Sequence, residues 1–189
     1  MKKTLITIFI IILTIILILF FFDRDKITFF LTKNTNLENE NIDNIKITDN
    51  INSSFFIENF SNYINPEYHN MFYFRNPNIK SYRLTFNEEN APQITVGFIE
   101  QTKEIVYISK YSGSKKNSSR KEVGNKGVCL GDNLKKVIEV YGENYYNYGS
   151  NTDGVKGIGY VDKKNKLNVI FLHNGQNNIY WYSIEKYKT

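Results

Sequence analysis

Gly127-Val128-Cys129-Leu130-Gly131-Asp132-Asn133-Leu134-Lys135-Lys136-Val137-Ile138-Glu139-Val140-Tyr141-Gly142 is the stretch on which the fold turns. Leu134, Val137, Ile138 and Tyr141 fall at i, i+3, i+4 and i+7, a spacing that predicts a short helix with one apolar face. Asp132 stands where its carboxylate can accept from the free N–H groups of the first turn, and Gly142 stands where a left-handed residue ends a helix. Lys135, Lys136 and Glu139 then face water. Asp132 has no His and no second carboxylate at metal-ligand spacing, so it reads as a cap and not as a catalytic acid or ligand.

Downstream the apolar period changes from helical to two. Gly157 to Asp162, Leu167 to His173 and Ile179 to Lys186 are separated by Lys163-Lys164-Asn165 and by Asn174-Gly175-Gln176-Asn177, which are turn compositions. An antiparallel meander of three strands is expected. Strict alternation places Leu167, Val169 and Phe171 on one face with Ile179 and Trp181, and the helix packs there. Ile170, Leu172, Tyr180 and Tyr182 go to the opposite face, as an aromatic surface for a partner or as the seat of another layer.

Upstream, Ile94 to Ile99, a turn of Glu100 to Lys103, and Glu104 to Ile108 read on the same plan at an offset of about 73 to 74 residues. Phe98 corresponds to Phe171, Ile105 to Ile179 and Tyr107 to Trp181. Ser53 to Ile64 carries Phe56, Ile57, Phe60 and Ile64 at helical spacing with Ser53 or Ser54 as cap, and Tyr82 to Phe86 is a further strand. The divisions are a first α+β half over residues 51–112, a basic linker over 113–126 and a second α+β half over 127–189, forming one domain or two tandem repeats.

Gly127 to Asp132, a helix ending at Tyr141-Gly142, and the strands that follow resemble the repeat unit of the β-lactamase-inhibitor-protein-like and SmpA/OmlA-like envelope proteins. The match is clearest over Gly127 to Tyr141. Asn144 stands where that unit usually has proline, and Lys135 replaces the acid expected three residues after the cap. The resemblance implies a helix-on-sheet layer and a protein-binding or envelope-assembly module without catalysis.

At the other end of the chain Thr4 to Phe22 is an uncharged run, TLITIFIIILTIILILFFF. Nineteen residues at about 1.5 Å each reach about 28 Å, close to the roughly 30 Å hydrocarbon core of a bilayer. No small-residue cleavage site follows it, and Cys129 is too distant for lipid attachment. Lys2 and Lys3 favour a cytoplasmic tip over residues 1–3. The expectation is therefore a transmembrane signal anchor over 4–22, a flexible stalk over 23–50 and an extracytoplasmic α+β domain of antiparallel β meander with short packed helices. That places the protein at the plasma membrane, single-pass, with the N-terminus cytoplasmic and the domain outside. The stalk is Asn-rich and lacks a sustained period; as a coil it would span on the order of 30 Å.

Composition narrows the function classes. The chain has 189 residues, one Cys, one Trp, 14 Tyr and 14 Phe, so packing and not disulfides holds the fold. The formal charge of +5 falls to +3 once Lys2 and Lys3 are set aside, too mild an excess to indicate nucleic-acid binding. Abundant Asn, Ile, Lys and Tyr fit the codon bias of a low-GC bacterium.

Catalytic patterns are sparse. His69 and His173 are the two histidines, and Cys129 with His173 is the one conceivable thiol nucleophile and base. Cys129 alternates within a short apolar strand and reads as a buried small hydrophobe. Glu88-Glu89 and the pair Glu100 and Glu104 read as solvated turn acids, not as a glycosidase pair. No phosphate loop, nucleophile elbow or His-Glu-x-x-His pattern occurs, and no cofactor or metal site is expected. Lys115, Lys116, Arg120 and Lys121 form a basic stretch suited to an anionic wall polymer or headgroup surface. The preferred expectation is a membrane-anchored, non-catalytic protein-interaction module that binds an envelope protein through Tyr180, Tyr182, Ile170 and Leu172. A wall- or membrane-surface structural protein using the basic stretch is the alternative, and a Cys129-dependent enzyme comes third.

Overall fold

A computed structural model describes residues 7–14, 24–65, 78–86, 93–112, 122–150 and 154–187. Residues 7–14 form helix α1, followed by α2 (Arg24–Leu31), α3 (Ser54–Phe60) and α4 (Leu134–Tyr141). The strands are β1 (Asn41–Ile42), β2 (Ile45–Lys46), β3 (Ile64–Asn65), β4 (Ile79–Leu84), β5 (Gln93–Ile99) and β6 (Ile105–Tyr111), then β7 (Glu122–Val123), β8 (Val128–Cys129), β9 (Tyr146–Ser150), β10 (Val155–Asp162), β11 (Leu167–His173) and β12 (Ile179–Lys186).

Eight strands form one antiparallel sheet in the order β3-β4-β5-β6-β12-β11-β10-β9. The element order is hairpin, helix, four strands in each half: β1-β2, α3, β3 to β6, and then β7-β8, α4, β9 to β12. The halves are joined edge to edge by β6 against β12. Both helices cover the same face, because Phe56 and Phe60 of α3 and Val137 and Tyr141 of α4 share a core with Ile94, Val96 and Phe98 of β5 and Val169 and Phe171 of β11.

α4 follows the expected period, and Gly142 ends it at φ 87°, a conformation open to glycine at little cost. Its N-cap is Asn133, whose Oδ1 accepts from Lys135 N at 3.0 Å. Asp132 lies one residue too early to reach that turn. It accepts instead from Cys129 N at 2.7 Å and pairs with Lys136 Nζ at 2.7 Å. Ser53 caps α3, accepting from Phe56 N at 3.3 Å, and Ile57 remains 48% exposed because it lies off the face that Phe56 and Phe60 turn inward.

The structure corrects the N-terminal reading. No helix among the described residues is long and apolar enough to cross a membrane. Of the expected span, residues 7–14 are described, as α1, and 4–6 and 15–22 lie outside the described residues. The transmembrane helix, the signal anchor, the membrane as a partner through residues 4–22 and the single-pass placement at the plasma membrane are accordingly not supported. The α+β content remains, as a mostly β domain with short helices.

The expected stalk is also revised. Leu37, Ile42, Ile45, Ile47 and Ile51 are buried in the common core, and Thr48 N donates to Ile105 O at 2.8 Å. Residues 34–51 are a strap lying across both halves, not a spacer. Its apolar residues were hidden by the Asn-rich background, since their spacing follows a hairpin and turns and not one uniform period.

Candidate functional site

The strand register decides which side chains share a face. Trp181 lies opposite Leu172 on one side and Tyr111 on the other, whereas Tyr182 lies opposite Phe171 and Lys110. A bulge at Leu172/His173 leaves Tyr180 as an extra residue in β12, and the extra residue reverses the phase of the alternation. Ile179 therefore joins the core together with Tyr182 and Ile184, while Trp181 turns to the face opposite α3 and α4. This corrects the expected placement of Tyr182 on the partner face: Tyr182 is 0% exposed beneath the helices.

Ile170 and Leu172 do lie on the face opposite α3 and α4, paired with Ser183 and Trp181, but both are buried and form floor, not contact surface. Tyr180 is half-buried and meets Tyr111 edge-on, with ring centroids 6.3 Å apart at 88°. Tyr111 is 38% exposed. The β6–β12 seam thus presents Trp181 and Tyr111 as a directly opposed pair, flanked by Tyr180. Sequence reading missed Tyr111 and misplaced Trp181. Aromatic alternation signalled both residues, but the bulge that sets their phase is not written in that alternation.

Farther along the same face a polar chain crosses the second half. Tyr146 OH donates to Asn168 Oδ1 at 2.9 Å, and Asn168 Nδ2 donates to Glu185 Oε1 at 2.6 Å. Gly159 is needed there, because the Tyr146 ring occupies the space a Cβ would take.

Directly behind the aromatic pair is a buried polar cluster. Glu40, 4% exposed, accepts at Oε2 from Tyr141 OH and Tyr182 OH, each at 2.9 Å. Lys126 Nζ sits 3.9 Å from Glu40 Oε1 and 4.3 Å from the Tyr141 ring centroid. Burial, then the charge of Glu40, raises the Tyr141 phenol well above its ordinary value; burial, then Tyr141 and Glu40, does the same to Tyr182. Beside them Lys110, 0% exposed, pairs with Asp43 at 2.6 Å. Glu40, Tyr141, Tyr182 and Lys110 are buried while Lys126 and Asp43 reach them from the surface, and for the buried members satisfied pairs specify one arrangement and broken ones are costly.

The other expected sites are placed as follows. Lys115, Lys116, Arg120 and Lys121, together with His69, Glu88 and Glu89, lie outside the described residues. Cys129 is half-buried in β8, opposite Glu122. His173 ends β11, its Nδ1 3.1 Å from Asn174 O. Glu104 pairs with Lys186, and Glu100 lies 3.8 Å from Lys80. Among the described residues no group of His, Cys, Asp and Glu is arranged to hold a metal ion.

No protein-family model matches the chain, and no curated protein matches it. Among solved structures it is similar to a cysteine-rich secretory protein from Staphylococcus aureus subsp. aureus Mu50, at 11% identity and a TM-score of 0.44. That superposition covers 82% of this chain and 48% of the other, so the chain spans about half the length of that protein. A likeness this distant carries neither a fold assignment nor a function.

Proposed function

We propose that the protein is a non-catalytic protein-binding module whose contact surface is the aromatic group Trp181, Tyr111 and Tyr180 on the seam between its halves. The observation that carries this reading is the register: the only Trp of the chain stands directly opposite a Tyr that is 38% exposed. Trp and Tyr dominate protein-binding hot spots because they bury large area at small entropic cost and bring a polar tip. Leu172, Trp181, Tyr111 and Gln93 occupy one cross-strand row without a charged side chain. An uncharged row suits a partner protein's apolar side chains better than an anionic polymer. The resemblance to envelope-assembly repeat units points the same way, as analogy.

The test is capture from bacterial cell extract on the full chain, since a fragment beginning at Thr48 would lose Leu37, Glu40, Ile42, Ile45 and Ile47 from the core. A stoichiometric protein held through high salt should be lost with Trp181→Ala or Tyr111→Ala and kept with Glu139→Lys on the solvent side of α4. Capture indifferent to both aromatic substitutions refutes the proposal.

A further inference from the structure

The strap over residues 34–51 touches both halves. At its start Thr35 N donates to Val161 O at 2.8 Å, Leu37 N to Asp162 Oδ2 at 2.9 Å, and Asn34 Oδ1 accepts from Lys163 N at 2.7 Å. At its end Ile51 N donates to Lys103 O at 3.1 Å, and Asp49 O accepts from Ile105 N at 2.7 Å. The start is thus fixed to the second half and the end to the first. Between these ends lie two polar contacts, the buried one of Glu40 with Tyr182 and the part-buried one of Asp43 with Lys110.

Those contacts fall on the seam itself. Tyr182 and Lys110 are directly opposed across β12 and β6, and the next opposed pair is Trp181 and Tyr111. Successive residues of a strand point to opposite faces, so the strap grips the back of the strand positions whose fronts carry the aromatic pair. β6 against β12 is also the one strand pairing that joins the halves within the eight-stranded sheet.

We infer that the strap is a positioning clamp for the aromatic site: Glu40 and Asp43 set the relative placement of Trp181 and Tyr111 through Tyr182 and Lys110. The inference rests on the reading of that pair as the binding surface. Strap docking and partner binding are then coupled, and the coupling is reciprocal: whatever loosens the strap weakens the site, and an occupied site holds the strap down. Glu40 and Asp43 are positioning residues that do not touch the partner.

Trp181 is the only Trp in the chain, so its fluorescence reports the site without any partner present. In the full-length protein Glu40→Gln and Asp43→Asn should each shift Trp181 emission to the red and increase its quenching by acrylamide, with the far-UV circular dichroism of the wild type. Asp43→Glu, which restores a carboxylate, should return the signal. Asn34→Ala, which removes a strap contact far from the seam, should leave it unchanged. Should Glu40→Gln fail to fold, Asp43→Asn decides, because the Asp43 side chain is 35% exposed and the asparagine amide oxygen can still accept from Lys110. Wild-type emission in folded Asp43→Asn overturns the inference, as does an equal shift in Asn34→Ala, which would signify general loosening. A Trp181 response with no partner captured upholds the clamp and removes the binding reading; an unresponsive Trp181 with capture intact removes the clamp alone.

Discussion

The two halves share an element order and differ in what fills them. Beneath α3 the first half is packed with apolar side chains: Phe56, Phe60, Ile94, Val96, Phe98, Ile105 and Ile108. Beneath α4 the second half is packed with phenols: Tyr141, Tyr160 and Tyr182 surround Phe171, with ring centroids 5.1, 6.3 and 4.8 Å from it. A hydrocarbon core needs only shape. A phenolic core also needs hydrogen-bond acceptors, since a buried hydroxyl without a partner costs free energy. Gly142 O supplies one to Tyr160 at 2.9 Å, and Glu40 of the strap supplies the other two. The second half therefore takes the acceptor for two of its phenols from a segment distant in sequence, and the first half takes from the same segment one carboxylate, Asp43, for its buried Lys110.

Core truncation should expose that difference most strongly. Phe171→Ala should cost about 4 kcal/mol and Phe98→Ala about 3 kcal/mol, because Phe171 leaves three phenol rings without support while Phe98 has Tyr82 as its ring neighbour, 4.8 Å away. Urea unfolding of both variants checks this, and equal losses would mean that the ring cluster adds nothing beyond volume.

Removing the acceptor should come next. Glu40→Ala should cost about 2 to 3 kcal/mol, the penalty for two buried hydroxyls left unsatisfied. Adding Tyr182→Phe should return part of the loss, since the second substitution removes one of the stranded groups. Strict additivity of the two substitutions would show that Glu40 and Tyr182 do not act as a pair.

The smallest effect is on the alkaline limb. Tyr141, Tyr160 and Tyr182 are raised, chiefly by burial, above the ordinary value of 10.0. Each keeps its proton in the folded state after the unfolded chain has begun to release its own. The stability they contribute is fully present below about pH 10 and is lost as pH rises toward the folded values. Midpoints of thermal unfolding should fall above about pH 10, and less steeply for Tyr182→Phe. An identical slope would place the alkaline sensitivity elsewhere.

Much of the scaffold was legible. The period of Leu134, Val137, Ile138 and Tyr141 located α4 apart from its cap, which is Asn133 and not Asp132, and the alternations Leu167 to His173 and Ile179 to Lys186 match β11 and β12. Phe98 and Phe171 both enter the core, as do Ile105 and Ile179. The candidate site was only half legible. Trp181 and Tyr182 were assigned to each other's faces, because alternation is read by counting and a single bulged residue, Tyr180, shifts the count. Glu40 was passed over inside an Asn-rich stretch, where its role depends on Tyr141 and Tyr182, 101 and 142 residues away.

The sequence by itself determined α3, α4, the strands β5, β6 and β10 to β12, the turns between them and which face of α4 is apolar, because caps, turn residues and periodicity act through neighbours along the chain. The tertiary structure decided the rest: that eight strands join into one sheet at β6 and β12, that residues 34–51 belong to the core, and which aromatic side chains face out. Those outcomes depend on register and on partners brought together from far apart, and no local pattern encodes a phase that a bulge can reverse.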